Sequence, residues 1–260
     1  MFAKKKLEIA MQVLPKKRAI CVDISLGSFA EHIERFADFG AAHKSSYVCC
    51  VNVHMTVEAW KDERFKEVVN KADFSTADGM PVLNALNKFN RTGQERVAGN
   101  DIMPALMQEA SKRGLSVYFY GGKQEVLDMI IERARSEMPD LRIAGAYSPP
   151  FRPLSDMEMQ EVAQRINGTG AHVVMVSLGC PKQEKWMADM RGQVNAIMLG
   201  VGGAFLLYAG VDTRAPKWMR DMSLEWVYRL ILEPRRLFKR YLITNTTYIY
   251  LYLKQLLVRR

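Results

Sequence analysis

Ser116-Val117-Tyr118-Phe119-Tyr120-Gly121-Gly122-Lys123 decides the fold. Five consecutive β-branched, aromatic or small residues read as a buried strand. Two glycines follow at once, and a helical pattern then runs to Met138. A short apolar strand passing through glycines into a helix is a βα unit. Working outward, the same unit recurs. Ala19–Ile24, Tyr47–Val53, Phe74–Thr76, Leu141–Tyr147, His172–Leu178 and Ala196–Leu199 are strand-like. Helical stretches of 10–15 residues alternate with them. The alternation predicts an α/β fold: a Rossmann-like, mostly parallel sheet with helices on both faces.

Composition agrees. The 260 residues are 48% hydrophobic and 25% charged, enough for a large core with an ordinary soluble surface. The net charge of +9 is unevenly spread. From Arg214 to Arg260 there are eleven Lys/Arg against three Asp/Glu, leaving the first 213 residues at +1. Pro216 marks the change. Residues 1–216 are expected to form the α/β catalytic domain. Residues 217–260 are expected to form a basic, aromatic helical appendage, split or kinked at Pro234. No run of 18 uninterrupted apolar residues is present, so no spanning helix is expected. The first 18 residues lack the continuous apolar stretch of a secretory signal. Cys21, Cys49, Cys50 and Cys180 form no C-x-x-C pair and read as buried thiols in a reducing compartment, not disulfides or zinc ligands.

Four strand-to-helix corners could hold an anionic ligand. Gly121-Gly122, Gly179-Cys180-Pro181-Lys182 and Gly200-Val201-Gly202-Gly203 let main-chain amides approach a phosphate, with Lys182 adding charge. Gly121, Gly122, Gly179, Lys182, Gly202 and Gly203 are the nucleotide-binding candidates. The fourth corner, Thr76-Ala77-Asp78-Gly79, is the only acidic one. Asp78 is either a reacting carboxylate or a cap for the helix from Met80. Asn52, at a strand end, is either a sugar ligand or an Asx turn. Arg96, before Gly99-Asn100-Asp101, is either a diphosphate contact or a surface arginine. Asn100 is a further substrate-binding candidate. Gln183 and Glu184 open a helix, where capping is the alternative. His54 reads as structural, His32, His43 and His172 show no ligand spacing, and Trp186, Trp218 and Trp226 read as packing residues.

Several signatures are absent. No G-x-G-x-x-G follows the first strand, and no P-loop or H-E-x-x-H occurs. There is no Asp-x-Asp with which to hold a divalent metal. Neither a metal nor a cofactor is expected, so a diphosphate must be met by amides and basic side chains.

Taken in order, ADGMPV, RVAGND, YFYGGK, LGCPKQEKW, GVGGAF and RAPKWMRDMSLEWVYRLILEPRRLFKRYL resemble the WecG/TagA/CpsF family of bacterial glycosyltransferases, glycosyltransferase family 26. The likeness runs from about Asp23 to Leu242. It implies an inverting, metal-independent transfer from a UDP-sugar to a polyprenyl-diphosphate-linked saccharide, at the cytoplasmic face of the plasma membrane. It puts Asp78 on the family's proposed base, and Asn52, Arg96 and Gln183 on its active-site polar residues. Many members carry Thr where this chain has Cys50, so that hydroxyl is absent here.

In the appendage, Arg229, Arg235 and Arg236 are candidates for the lipid diphosphate. The apolar and tyrosine-rich turns suit an anionic membrane surface or an oligomer interface. Two other readings compete: a soluble NAD(P)-dependent oxidoreductase, and a non-enzymatic binder of nucleic acid or a lipid surface. The missing fingerprint opposes the first. Nucleic acid is not expected as a partner.

Overall fold

The computed structural model describes residues 11–258, with only the backbone of Asp221 and Arg236. Most of the basic N-terminal lead, residues 1–10, lies outside the described residues, as do Arg259 and Arg260.

Six strands form one wholly parallel sheet: β3 (Ser46–Val51), β4 (Phe74–Ala77), β5 (Ser116–Gly121), β6 (Arg142–Tyr147), β7 (Val173–Ser177) and β8 (Ile197–Gly200). They lie in the order β4-β3-β8-β7-β5-β6. The β5 run is buried at every position. Its side chains alternate between the two faces, as a strand's period of two requires. Tyr118 and Tyr120 join Cys49, Val51, Val174, Val176 and Trp186 on one face. Val117 and Phe119 join Val48, Cys50, Phe74, Val173, Met175 and Phe205 on the other. Burial on both faces explains why the strands read as continuous apolar runs.

The helices are α1 (Phe29–Ala41), α2 (Val53–Lys61), α3 (Glu63–Lys71), α4 (Met80–Asn90), α5 (Gly99–Lys112), α6 (Gln124–Glu137), α7 (Asp156–Gly168), α8 (Lys182–Met190) and α9 (Ala204–Tyr208). Local chemistry sets several of their starts. Ser28 with Glu31, and Ser155 with Glu158, form reciprocal capping boxes. Asn52 caps α2 by accepting from Met55 N at 3.1 Å. The α5 helix opens at Gly99, with Ala98 as its N-cap.

One strand expectation is corrected. Ala19–Ile24 is not a strand of the main sheet. Lys16–Ala19 (β1) and Val22–Ser25 (β2) form a separate antiparallel hairpin, turning at Ile20-Cys21 with Ile20 at φ 61°. Ser25 Oγ accepts from Ser75 N at 3.0 Å, so the hairpin covers the outer edge of β4. An open parallel edge would otherwise invite pairing with another chain.

After Pro216 come α10 (Lys217–Asp221), α11 (Glu225–Leu232) and α12 (Pro234–Val258). Pro234 begins α12 and divides it from α11, since a first-turn proline has no amide bond to lose. The 25 residues of α12 span about 37 Å. Leu237, Thr244, Tyr248 and Leu251 are its buried stripe. Tyr248 OH donates to Pro81 O at 2.9 Å, and the Tyr252 ring meets Phe89. Phe238, Leu242, Ile249, Leu253 and Leu257 are exposed. Among the described residues no helix is long and apolar enough to cross a membrane. Trp186 does pack, stacked on Tyr120 at 4.2 Å. Trp218 does not fit the packing expectation, being 58% exposed, whereas Trp226, though partly exposed, packs edge-on against Tyr241 at 6.0 Å.

Candidate active site

The four corners lie along the carboxyl edge of the sheet, where open α/β sheets bind ligands. Asp78 follows β4, and its amide donates to Val51 O at the end of β3. That bond holds the Asp78 corner beside Asn52. A Cβ on Gly79 would stand 3.5 Å from the Asn52 Cβ. Asn52 Oδ1 is engaged as the α2 cap, and its amide nitrogen carries the donor capacity of the side chain.

Asp78 does not cap the helix that follows it. That N-cap is Gly79, which makes no side-chain cap bond. Asp78 Oδ1 instead accepts from Gly99 N at 3.1 Å. Gly99 is the first residue of α5, so the carboxylate sits at the N-terminus of a different helix. That helix end favours the anion, yet burial acts the other way and dominates. The Asp78 pKa is raised above the ordinary carboxylate value by burial. Arg96 opposes the rise, Glu225 adds to it, and Arg229 and the Gly99 amide oppose it. A carboxylate made more basic at the carboxyl edge of the sheet is suited to take a proton.

Arg96 is only partly exposed and is bound to the Asp78 corner. Its Nε donates to Asp78 O at 2.7 Å, and its Nη2 to Glu225 Oε2 at 3.1 Å. A guanidinium has five N–H donors, so others stay available to an anion. Asn100 is half-buried at the second position of α5. Next to it, Asp101 pairs with Arg214.

The glycine corners differ in their reasons for glycine. A Cβ on Gly121 would stand 2.3 Å from Ser177 O, inside contact distance, so the β5 and β7 ends touch through that position. Gly122 is exposed, at φ 76°, and its carbonyl accepts from Ser148 Oγ at 2.7 Å. Gly202 O accepts from Ser177 Oγ at 2.9 Å. Gly179 is exposed, and the exposed Lys182 lies 5.2 Å from the Phe151 ring centre.

Gln183 is buried and fully engaged. Its oxygen accepts from Gly179 N at 3.2 Å; its nitrogen donates to Gly200 O at 3.2 Å and to Glu184 Oε1 at 2.7 Å. The amide thus braces two glycine corners, and its oxygen lies 3.4 Å from a Cβ built on Gly202. Glu184 is wholly buried, and burial pushes its pKa up to about 7, against bonds from Gln183, its own amide and Cys180. Among the described residues its Oε2 has no partner at full hydrogen-bond geometry. His54 is kept neutral by burial and by Arg240 nearby.

The appendage reaches this edge. The Arg229 guanidinium lies 3.7 Å from a Cβ built on Gly203, and its Nη2 lies 3.8 Å from Glu225 Oε1. Arg235 is exposed at the start of α12, with no bond to the Asp78 group among the described residues. The Arg236 side chain lies outside the described residues. Asn52, Asp78, Arg96, Gly203 and Arg229 are therefore brought to one edge. Glu225 joins them unforeseen. Its signal was the Glu225–Arg229 spacing of four, which puts both charges on one helix face.

All four cysteines are free; Cys49 and Cys50 are buried as expected, while Cys21 and Cys180, at a hairpin turn and a strand-to-helix corner, are only half-buried. Among the described residues no group of three or more His, Cys, Asp or Glu side chains could hold a metal ion.

A carboxylate with a raised pKa, an arginine beside it and amide-rich corners suit transfer to a hydroxyl from an anionic leaving group. Comparison with known proteins agrees. The family model described as glycosyl transferase WecG/TagA/CpsF matches residues 18–260. Two similar proteins are named N-acetylglucosaminyldiphosphoundecaprenol N-acetyl-β-D-mannosaminyltransferase. The one from Bacillus spizizenii strain W23 is 32% identical over 227 residues, covering 87% of this chain and 86% of that protein. The one from Bacillus subtilis strain 168 is 33% identical over 216 residues, covering 83% and 82%. The chain belongs to the WecG/TagA/CpsF family of glycosyltransferases.

Proposed function

We propose that this protein transfers N-acetylmannosamine from its UDP nucleotide to N-acetylglucosaminyl-diphosphoundecaprenol, with inversion and without a metal. The carrying observation is the Asp78 carboxylate, raised in pKa, with Arg96 bound to its own main chain. The names of the two relatives support the acceptor and the transferred sugar.

In this reading Asp78 takes the proton from the acceptor hydroxyl. The freed oxygen attacks the anomeric carbon as the bond from that carbon to the UDP oxygen breaks. UDP leaves with the bonding pair, and the proton stays on Asp78 until solvent removes it. A β-linked product, as in the relatives' names, follows from an α-linked donor by one such displacement. Charge developing on the diphosphate is met by Arg96, by Arg229 and by the amides at Gly122 and Gly203, with Lys182 at the rim, while the Gly179 and Gly202 amides are already donated to Gln183 Oε1 and Val176 O and shape their corners, as does the buried Gly121. These donors, and the absence of Asp-x-Asp, support chemistry without a metal. Asn52 and Asn100 bind sugar hydroxyls, and the buried Gln183 holds its two corners in place.

The appendage brings the enzyme to the membrane. Exposed Phe238, Leu242, Ile249 and Leu253, with Arg235 and Lys239 beside them, fit an anionic headgroup layer. Arg235 meets the lipid diphosphate there, with Arg229 between it and the donor corner at Gly203. A water-soluble nucleotide donor and a lipid acceptor meet at the cytoplasmic face of the plasma membrane, with the protein bound peripherally. Protection from thermal unfolding across a panel of UDP-sugars, with the lipid acceptor present, tests this reading. Protection by UDP-N-acetylmannosamine above the other sugars supports it; protection by NAD(P) and by no UDP-sugar overturns it.

A further inference from the structure

Arg96 is gripped at both ends. Nε–H holds the Asp78 carbonyl at 2.7 Å, and Nη2–H holds Glu225 Oε2 at 3.1 Å. Glu225 lies 129 residues further along the chain, at the first position of α11. Its other oxygen faces Arg229, which lies against Gly203. The line Asp78–Arg96–Glu225–Arg229–Gly203 therefore runs from the β4 corner to the β8 corner. The Arg96 and Glu225 side chains are only 18% and 23% exposed, so water screens them less than a surface pair.

This arrangement resolves a conflict. An arginine beside the base suits an anionic leaving group, but its charge also weakens the base by favouring the carboxylate. A second carboxylate on the far side of that arginine offsets the effect. Glu225 stands there, and its charge acts on Asp78 in the direction opposite to Arg96. The groups facing Asp78 are Arg96 from the loop before α5, Glu225 and Arg229 from α11, the Gly99 amide from α5 and the Cys50 thiol from β3. Burial keeps that thiol neutral. Glu225 is therefore the one acidic side chain among them.

We infer that Glu225 is a positioning residue for the transfer: it fixes the Arg96 guanidinium against the Asp78 corner and sets a carboxylate across from it, making the appendage part of the base's surroundings. The inference rests on the proposed role of Asp78 as base. It differs from a plain anchoring role, in which Glu225 would only hold α11 to the body.

The test uses the full chain in vesicles holding the lipid acceptor. Glu225→Gln keeps the size and a hydrogen-bond acceptor but removes the charge. The acidic limb of its kcat–pH profile should move to lower pH by about half a unit or more, with a lower plateau. Glu225→Asp should recover part of the shift. Carbon-13 NMR titration of the Asp78 carboxyl in parent and Glu225→Gln reads the same change without turnover. A uniform loss of rate with an unmoved limb and an unmoved Asp78 titration would overturn the inference in favour of anchoring, as would unchanged kinetics. If the parent itself transfers no sugar, the transferase reading fails and this inference falls with it, whereas a transferring parent with an unmoved Glu225→Gln profile sinks the inference alone.

Discussion

Asp78 Oδ1 accepts the main-chain N–H of Gly99 at 3.1 Å, which ties the end of β4 to the start of α5. The bond fixes the direction of the carboxylate without using its second oxygen. Asp78→Asn can keep the Gly99 bond through its amide oxygen but cannot take a proton. Turnover should fall by about 10²- to 10⁴-fold, while UDP affinity changes little. Steady-state kinetics with a parallel UDP-binding titration check this. A variant within threefold of the parent would remove Asp78 as the base.

Arg96 contributes both to the diphosphate and to the shape of the Asp78 corner. Arg96→Ala should lower kcat/KM by about 10-fold or more. Arg96→Lys should recover little, because one ammonium cannot bridge the Asp78 carbonyl and Glu225 as the guanidinium fork does. Equal kinetics for parent and Arg96→Ala would return Arg96 to a surface role.

Much of the fold is legible in the sequence for physical reasons. The buried parallel strands run into Asn52, Asp78, Gly121, Gly179 and Gly200, a polar residue or a glycine each time, so Ser116–Gly121 and the Asp78 corner announce themselves. The β1/β2 hairpin does not. Its turn sets Ile20 at φ 61°, where a β-branched residue is least expected, so Ala19–Ile24 looks like one strand. Within the candidate site, the corner residues are legible because each lies within a few positions of a strand end. The Arg96–Glu225 pair is not, because only the packing of α11 against the body joins residues so far apart. Trp218 departs from the packing expectation for a related reason: an aromatic pattern does not say whether a helix faces the body or solvent.

The proposed reaction needs no divalent ion. Turnover should survive excess EDTA with less than a twofold change. Abolition by EDTA and rescue by Mg²⁺ or Mn²⁺ would contradict the amide-and-arginine account of charge stabilisation.

Glu184 gives a pH signature of its own. Its folded pKa is about 7 against an ordinary 4.5, raised by burial. A raised carboxyl pKa means the folded state holds its proton longer than the unfolded chain. Stability from this group therefore falls as pH rises from about 4.5 to 7, then levels off. Glu184→Gln should escape that loss. Relative to the parent it should gain on the order of 2–3 kcal/mol on going from pH 5 to pH 8. Urea unfolding at the two pH values reads this, and an equal difference at both would show that Glu184 is not held neutral.

The outer face of α12 should carry membrane binding. Phe238→Glu with Leu242→Glu alters two exposed residues, Phe238 being 61% exposed, and should leave the fold intact. Sedimentation with anionic vesicles should fall by about 10-fold or more, and the parent's binding should weaken with salt. Binding equal to the parent's would assign this face to another partner.

The most direct measurement is the product itself. The full chain, incubated with UDP-N-acetylmannosamine and N-acetylglucosaminyl-diphosphoundecaprenol in vesicles with EDTA, should yield one disaccharide lipid per UDP released. NMR of the released disaccharide should show a β-linkage. An α-linked product, or UDP release without transfer to the lipid, would contradict inverting transfer with Asp78 as the base.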